Sequence, residues 1–131
     1  ILVNSIYPTK VADALLAKAK AGNGEAANFI IKYGLYKRLL GLKNAFSDGD
    51  DSVMLDDLEA CNNYQLDLND LKNLGTPISI ILGGKDRLVD FKAVENFTDT
   101  VLSKTYTMDE VGHFSFFEDP AELSKLISKI F

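Results

Sequence analysis

Two kinds of hydrophobic pattern alternate along this chain. Residues 1–4 (Ile-Leu-Val-Asn) and 78–82 (Ile-Ser-Ile-Ile-Leu) are short, β-rich runs with apolar side chains on both sides of the backbone. That is the pattern of parallel strands buried on both faces. Between them the apolar positions recur three and four residues apart, as on helices packed along one stripe. Val11, Ala14, Leu15 and Ala19 predict a helix that starts at Thr9 or Lys10 and stops at Gly22-Asn23-Gly24. Ala27, Ile30, Ile31 and Gly34 mark a second helix from Glu25, and a third short one is predicted over residues 36–42. Met54, Leu55, Leu58 and Cys61 share the inner face of a fourth, which ends near Tyr64 and makes Cys61 a core residue. Residues 66–74 read as a connector, and Thr76-Pro77 introduces the second strand, where a proline at the first position costs no ladder hydrogen bond.

Beyond that strand the elements alternate. A helix is predicted over residues 90–102, with Val94, Phe97 and Val101 inward, and a third strand over 105–108. A last helix opens at Glu118-Asp119-Pro120 and carries Leu123, Leu126, Ile127 and Ile130 on one face. Phe114, Phe116 and Phe117 read as core. The order strand, helical block, strand, helix, strand, helix predicts an α/β fold with parallel strands flanked by helices, and the first two strands as adjacent neighbours. The helical block is too long for a single crossover. It reads as an insertion lying over the C-terminal ends of the strands, where open α/β sheets bind ligands. The expected division is 1–8 as a core strand, 9–70 as the helical insertion and 71–131 as the remainder of the core.

Composition narrows the function classes. The chain has 131 residues, 47% hydrophobic and 25% charged, enough for one domain with its own core. A net charge of −5, with scattered lysines, argues against nucleic acid and anionic membrane as partners. No run reaches the roughly 20 apolar residues of a membrane-spanning helix. The single cysteine excludes an internal disulfide and fits a reducing compartment, which points to the cytoplasm. Ser47-Asp48-Gly49-Asp50-Asp51 reads as a solvated loop and helix cap, since it lacks the alternating ligands and distal glutamate of a calcium loop.

The candidate chemistry stands at two strand ends. Asp86 follows Gly83-Gly84 directly after one apolar strand, and His113, the only histidine, follows the next in Val111-Gly112-His113-Phe114. An acid and an imidazole on the same rim of a parallel sheet form the acid and base of a hydrolytic triad. Leu88, Val89 and Phe114 adjoin the pair and are candidate substrate contacts, whereas Asp109 and Glu110 read as surface residues.

With Thr76-Pro77, Gly83-Gly84-Lys85-Asp86-Arg87-Leu88-Val89, Val111-Gly112-His113-Phe114 and Glu118-Asp119-Pro120, the chain resembles the C-terminal half of an α/β-hydrolase with a helical cap. Leu58-Glu59-Ala60-Cys61-Asn62 is similar to the last cap helix of small esterase-like members. The resemblance implies a hydrolase of small ester-like or acyl substrates, working without cofactor or metal. Asp86 would orient the imidazole and His113 would act as base. The alternatives are a non-catalytic binding protein of the same fold and an aspartate-nucleophile, dehalogenase-like hydrolase. No Gly-x-Ser-x-Gly occurs in the sequence. The family's order therefore implies that nucleophile and oxyanion hole lie in an N-terminal part preceding Ile1. The chain alone is expected to be inactive, and to accompany that N-terminal part or to self-associate through its open sheet edge.

Overall fold

The computed structural model describes residues 1–39, 41 and 51–131. Three strands form one parallel sheet in the order β1 (Leu2–Val3), β2 (Ile78–Gly83), β3 (Ser103–Met108). Leu2 pairs with Ile80, and Ile80 in turn with Thr105. The two apolar runs are thus adjacent and parallel, as their two-sided pattern predicts.

Among the described residues seven helices surround the sheet: α1 (Asp13–Ala21), α2 (Glu25–Gly34), α3 (Asp51–Asn63), α4 (Leu68–Leu74), α5 (Phe91–Thr100), α6 (Ser115–Glu118) and α7 (Pro120–Ile130). Alternation along β2 divides the core. Ile80 and Leu82 pack with Ala93, Val94 and Phe97 of α5, and half-buried Leu68 and Leu71 of α4 join them. Ile81 points the other way, to Met108, Val111 and Leu123, with half-buried Leu126, Ile127 and Ile130 of α7 alongside. A smaller cluster, Leu15, Ala19 and Ala26 with half-buried Phe29, Ile30, Met54, Leu55 and Leu58, joins α1, α2 and α3.

The structure corrects several expectations. Residues 9–12 are not helical: Ala12 is still extended, with ψ 133°, and α1 begins at Asp13. The connector at 66–74 contains α4, capped by Asp67, whose side chain accepts from the Asn69 N–H. An Asp directly before a leucine-containing turn is an ordinary N-cap signal. Residues 36 and 37 form a bend and residues 38 and 39 are irregular, so no third helix starts here. Residue 41 is in a turn; residues 40 and 42 of that predicted helix, and residues 47–50 of the predicted loop, lie outside the described residues. Cys61 is exposed, not core. Met54, Leu55 and Leu58 of α3 pack against α1 and α2, but among the described residues nothing covers the last turn of the helix, where Cys61, Asn62 and Asn63 are all exposed. Phe116 and Phe117 are likewise exposed, at 50% and 47%. They sit on α6, a single turn that faces its Ser115 inward, and they stack on one another with ring centroids 4.6 Å apart.

Candidate active site

The turns that follow β2 and β3 are stitched together by their backbones. Gly84 donates to the Met108 carbonyl at 2.8 Å and Lys85 to the Val111 carbonyl at 2.9 Å. Gly83 makes the approach possible: a Cβ there would lie 2.0 Å from the Gly112 carbonyl oxygen. The approach places the side chains of Asp86 and His113 together. His113 Nδ1 is 2.9 Å from Asp86 Oδ2.

The Asp86 side chain has no exposed surface. Its Oδ1 accepts from the N–H groups of Leu88 (2.8 Å) and Val89 (3.2 Å), and its Oδ2 also receives Asn4 Nδ2 at 3.4 Å. Burial alone pushes this carboxyl up. The hydrogen bond and charge of His113, with the two backbone donors, outweigh burial and hold it below the usual carboxylate range. An ionised carboxylate only accepts, so the proton of the neutral ring sits on Nδ1 and Nε2 keeps a free lone pair. The imidazole is 29% exposed. It lines a cleft of about 260 Å³ together with Val3, Asn4, Ser5, Leu88 and Val89. Phe114 is buried behind the ring, edge-on at 5.3 Å between centroids. Asp109 and Glu110 are exposed, and Glu110 accepts from the Tyr36 hydroxyl at 2.7 Å.

Three more buried polar residues stand at this rim, Asn4, Ser115 and Glu118, of which only Glu118 lies in a motif read from the sequence, Glu118-Asp119-Pro120. With Asp86 they are the buried polar side chains of the described chain, and all four stand at one end of the sheet. Glu118 Oε1 accepts the Gly112 N–H at 3.1 Å. Its Oε2 accepts from the N–H groups of Tyr36 (3.1 Å) and Lys37 (2.8 Å). One carboxylate thereby fastens the histidine turn to the segment that leaves α2. The backbone N–H of His113 adds a bond of 2.7 Å to the Gly34 carbonyl. Gly112 must be bare for this, because a Cβ would fall 2.4 Å from the Gly34 oxygen. The one available signal for Asn4 was its position, since it ends an apolar strand as Asp86 follows another. Among the described residues, no group of three His, Cys, Asp or Glu is placed to hold a metal ion. No described helix is long and apolar enough to cross a membrane.

No protein-family model matches the sequence, and no curated protein matches it. Solved structures do. The chain is similar to a thermophilic esterase (TM-score 0.79, 19% identity), with 98% of this chain covering 53% of that one. It is similar to an α/β hydrolase enzyme from a deep-sea metagenome library (TM-score 0.74, 19% identity, 97% of this chain and 53% of that one). It is also similar to an esterase from Exiguobacterium antarcticum (TM-score 0.72, 19% identity, 90% and 46%). The chain therefore has the fold of the C-terminal half of an α/β-hydrolase, and spans about half the length of these structures.

Proposed function

We propose that this chain supplies the acid and the base of a hydrolase of small ester-like or acyl substrates. The observation that carries the reading is the 2.9 Å contact between His113 Nδ1 and the fully buried Asp86 carboxylate on the C-terminal rim of a parallel sheet. In this reading Nε2 takes the proton of a serine hydroxyl as that oxygen attacks the acyl carbon. Asp86 stabilises the imidazolium so formed, and the proton then passes to the departing alkoxide. Water repeats the sequence in reverse to release the acid. Leu88 and Val89 shape the acyl site beside the pair, and Phe114 supports the ring edge-on from its buried side. The helical insertion of residues 9–70 forms the cap that selects the substrate, except that its last residues belong with α4 to the core, where Leu68 and Leu71 pack beside the sheet; residues 1–8 and 71–131 make up the rest of the core. No cofactor takes part. The nucleophile and the oxyanion donors come from the N-terminal part of the same protein, which pairs with the outer edge of β1. A reducing cytoplasm suits the free, exposed Cys61.

Kinetics of the intact protein on a nitrophenyl ester test the reading. Asp86→Asn should keep the fold and cost about 10³–10⁴-fold in kcat, because the ring is then held in the wrong tautomer. His113→Ala should cost at least as much, and the double variant little more, since the two groups act as a unit. An Asp86→Asn enzyme within a few-fold of wild type, or losses that simply multiply, would defeat it. So would His113-dependent saturation kinetics from residues 1–131 alone, which would place a nucleophile inside this chain.

A further inference from the structure

The pair is held by a third residue that takes no part in the chemistry just proposed. We propose that Asn4 is a positioning residue, whose amide locks the Asp86 carboxylate and the His113 turn into one geometry, with Ser115 fixing the orientation of that amide. The inference rests on Asp86 and His113 being a working pair, and it adds a component to that pair.

Asn4 stands immediately after β1 with only 4% of its surface exposed. Its backbone N–H donates to the Ile81 carbonyl at 2.8 Å, so its place beside β2 is set by the sheet. Its φ is +47°, a left-handed conformation in which Asn is enriched among non-glycine residues. That conformation turns the side chain along the strand ends. Nδ2 lies 3.2 Å from the Gly112 carbonyl oxygen and 3.4 Å from Asp86 Oδ2. Both are acceptors, so the amide end facing them must be the NH₂ group. The opposite end, Oδ1, accepts from the hydroxyl of Ser115, a side chain with 0% exposure.

The consequence is geometric. One amide touches the carboxylate that orients the ring and the residue that precedes the ring in sequence. Gly112 is held on its other side by Glu118, which takes its N–H at 3.1 Å. Histidine turn and carboxylate therefore cannot drift apart without breaking a buried hydrogen bond, which leaves a buried group unpaired. Asp in place of Asn fits the same space but sets an acceptor against two acceptors. That is why an amide belongs here.

The test reads the ring directly. Ring nitrogen shifts of ¹⁵N-histidine are measured in the intact protein, with the His113 signals identified by their loss in His113→Ala. In the wild type the neutral ring should be mainly the Nδ1–H form. Asn4→Gly keeps the left-handed backbone free of strain and removes only the amide. It should move the ring towards the Nε2–H form that free histidine prefers, and lower kcat about 10-fold with KM little changed, the signature of a small misplacement. Asn4→Asp should do worse than Asn4→Gly. Ser115→Ala should shift the ring in the same sense by less, and it decides the matter if neither Asn4 variant folds. Folded variants with the wild-type tautomer, or with lost turnover and an unmoved ring, overturn the proposal. Failure of the hydrolase reading is distinct: it shows as unimpaired turnover in Asp86→Asn, whatever the ring does in the Asn4 variants.

Discussion

The sheet and the block formed by α1, α2 and α3 are stabilised in different ways. In the sheet, Ile80 and Ile81 have no exposed surface, and Leu82 and Phe97 expose 1% and 2%. Those side chains are enclosed by α5 on one face and α7 on the other. In the apolar cluster that joins the helical block three residues are buried, two of them alanines, and the others are half-buried. The sheet coheres through two-sided apolar burial. The block coheres through one thin apolar seam, and is fastened to the rim by the N–H groups of Tyr36 and Lys37, which donate to Glu118, and by the His113 N–H, which donates to the Gly34 carbonyl. A densely packed sheet carrying the Asp86–His113 pair, beside a more loosely packed helical block, lets the block vary without disturbing the pair.

The contrast can be broken most sharply in the two seams. Phe97→Ala should cost about 4 kcal/mol and lower the denaturation midpoint of every probe together, because the ring is enclosed on all sides and its cavity cannot close. Leu15→Ala should cost about 2 kcal/mol, at the low end for such a change, since its half-exposed neighbours can settle into the space. Hydrogen exchange should then show α1–α3 opening before β2 in Leu15→Ala, and all elements opening together in Phe97→Ala. Equal losses, or uniform exchange in both, would mean that the two regions form one cooperative unit.

The fastening between them is tested by Glu118→Gln. The amide retains the shape but turns an NH₂ towards backbone donors, leaving at least one buried N–H unpaired at about 1–3 kcal/mol. Faster exchange at the amides of Tyr36, Lys37 and Gly112 should accompany the loss, with β2 unchanged.

The Asp86–His113 pair should impose a pH dependence on the sheet side. The folded state holds the Asp86 carboxyl below its ordinary value, so on acidification the unfolded chain binds the proton first. The stabilisation is complete above about pH 5, begins to fade near the ordinary value of about 3.9 and is lost as the pH falls through the lower folded value. Urea midpoints at neutral and acid pH should therefore converge in Asp86→Asn more than in the wild type. The smallest effect belongs to Cys61→Ala on the outer surface of α3, which should stay within about 0.5 kcal/mol.

Much of this molecule was legible in its sequence where side-chain pattern and burial coincide. Residues 78–82 read as a two-faced strand because both faces of β2 are in fact covered. Residues 120–130 showed their apolar stripe because α7 packs that stripe on the sheet. Asp86 and His113 could be linked in advance because parallel strands deliver their C-terminal ends to one rim, whatever the details. Pattern was a poorer guide where a partner had to be assumed. Cys61, Phe116 and Phe117 are apolar and were expected inside, yet the periodicity of one helix does not say whether anything lies against it. Asp67 marked α4 only weakly, since a seven-residue helix shows too few turns for its period to stand out.

What the sequence by itself determined is the order of the strands and of the longer helices, the two-sided strands, and the placing of Asp86 and His113 at the strand ends, all local consequences of side-chain size, polarity and spacing. Only the tertiary structure decided that Asn4, Ser115 and Glu118 join them. Asn4 meets Gly112 across 108 positions of chain and Ser115 across 111. Contacts that distant leave no periodic trace in a single sequence. They come from sheet register and from bare glycines that let backbones approach, and each buried amide or carboxylate is retained there because its hydrogen bonds are complete.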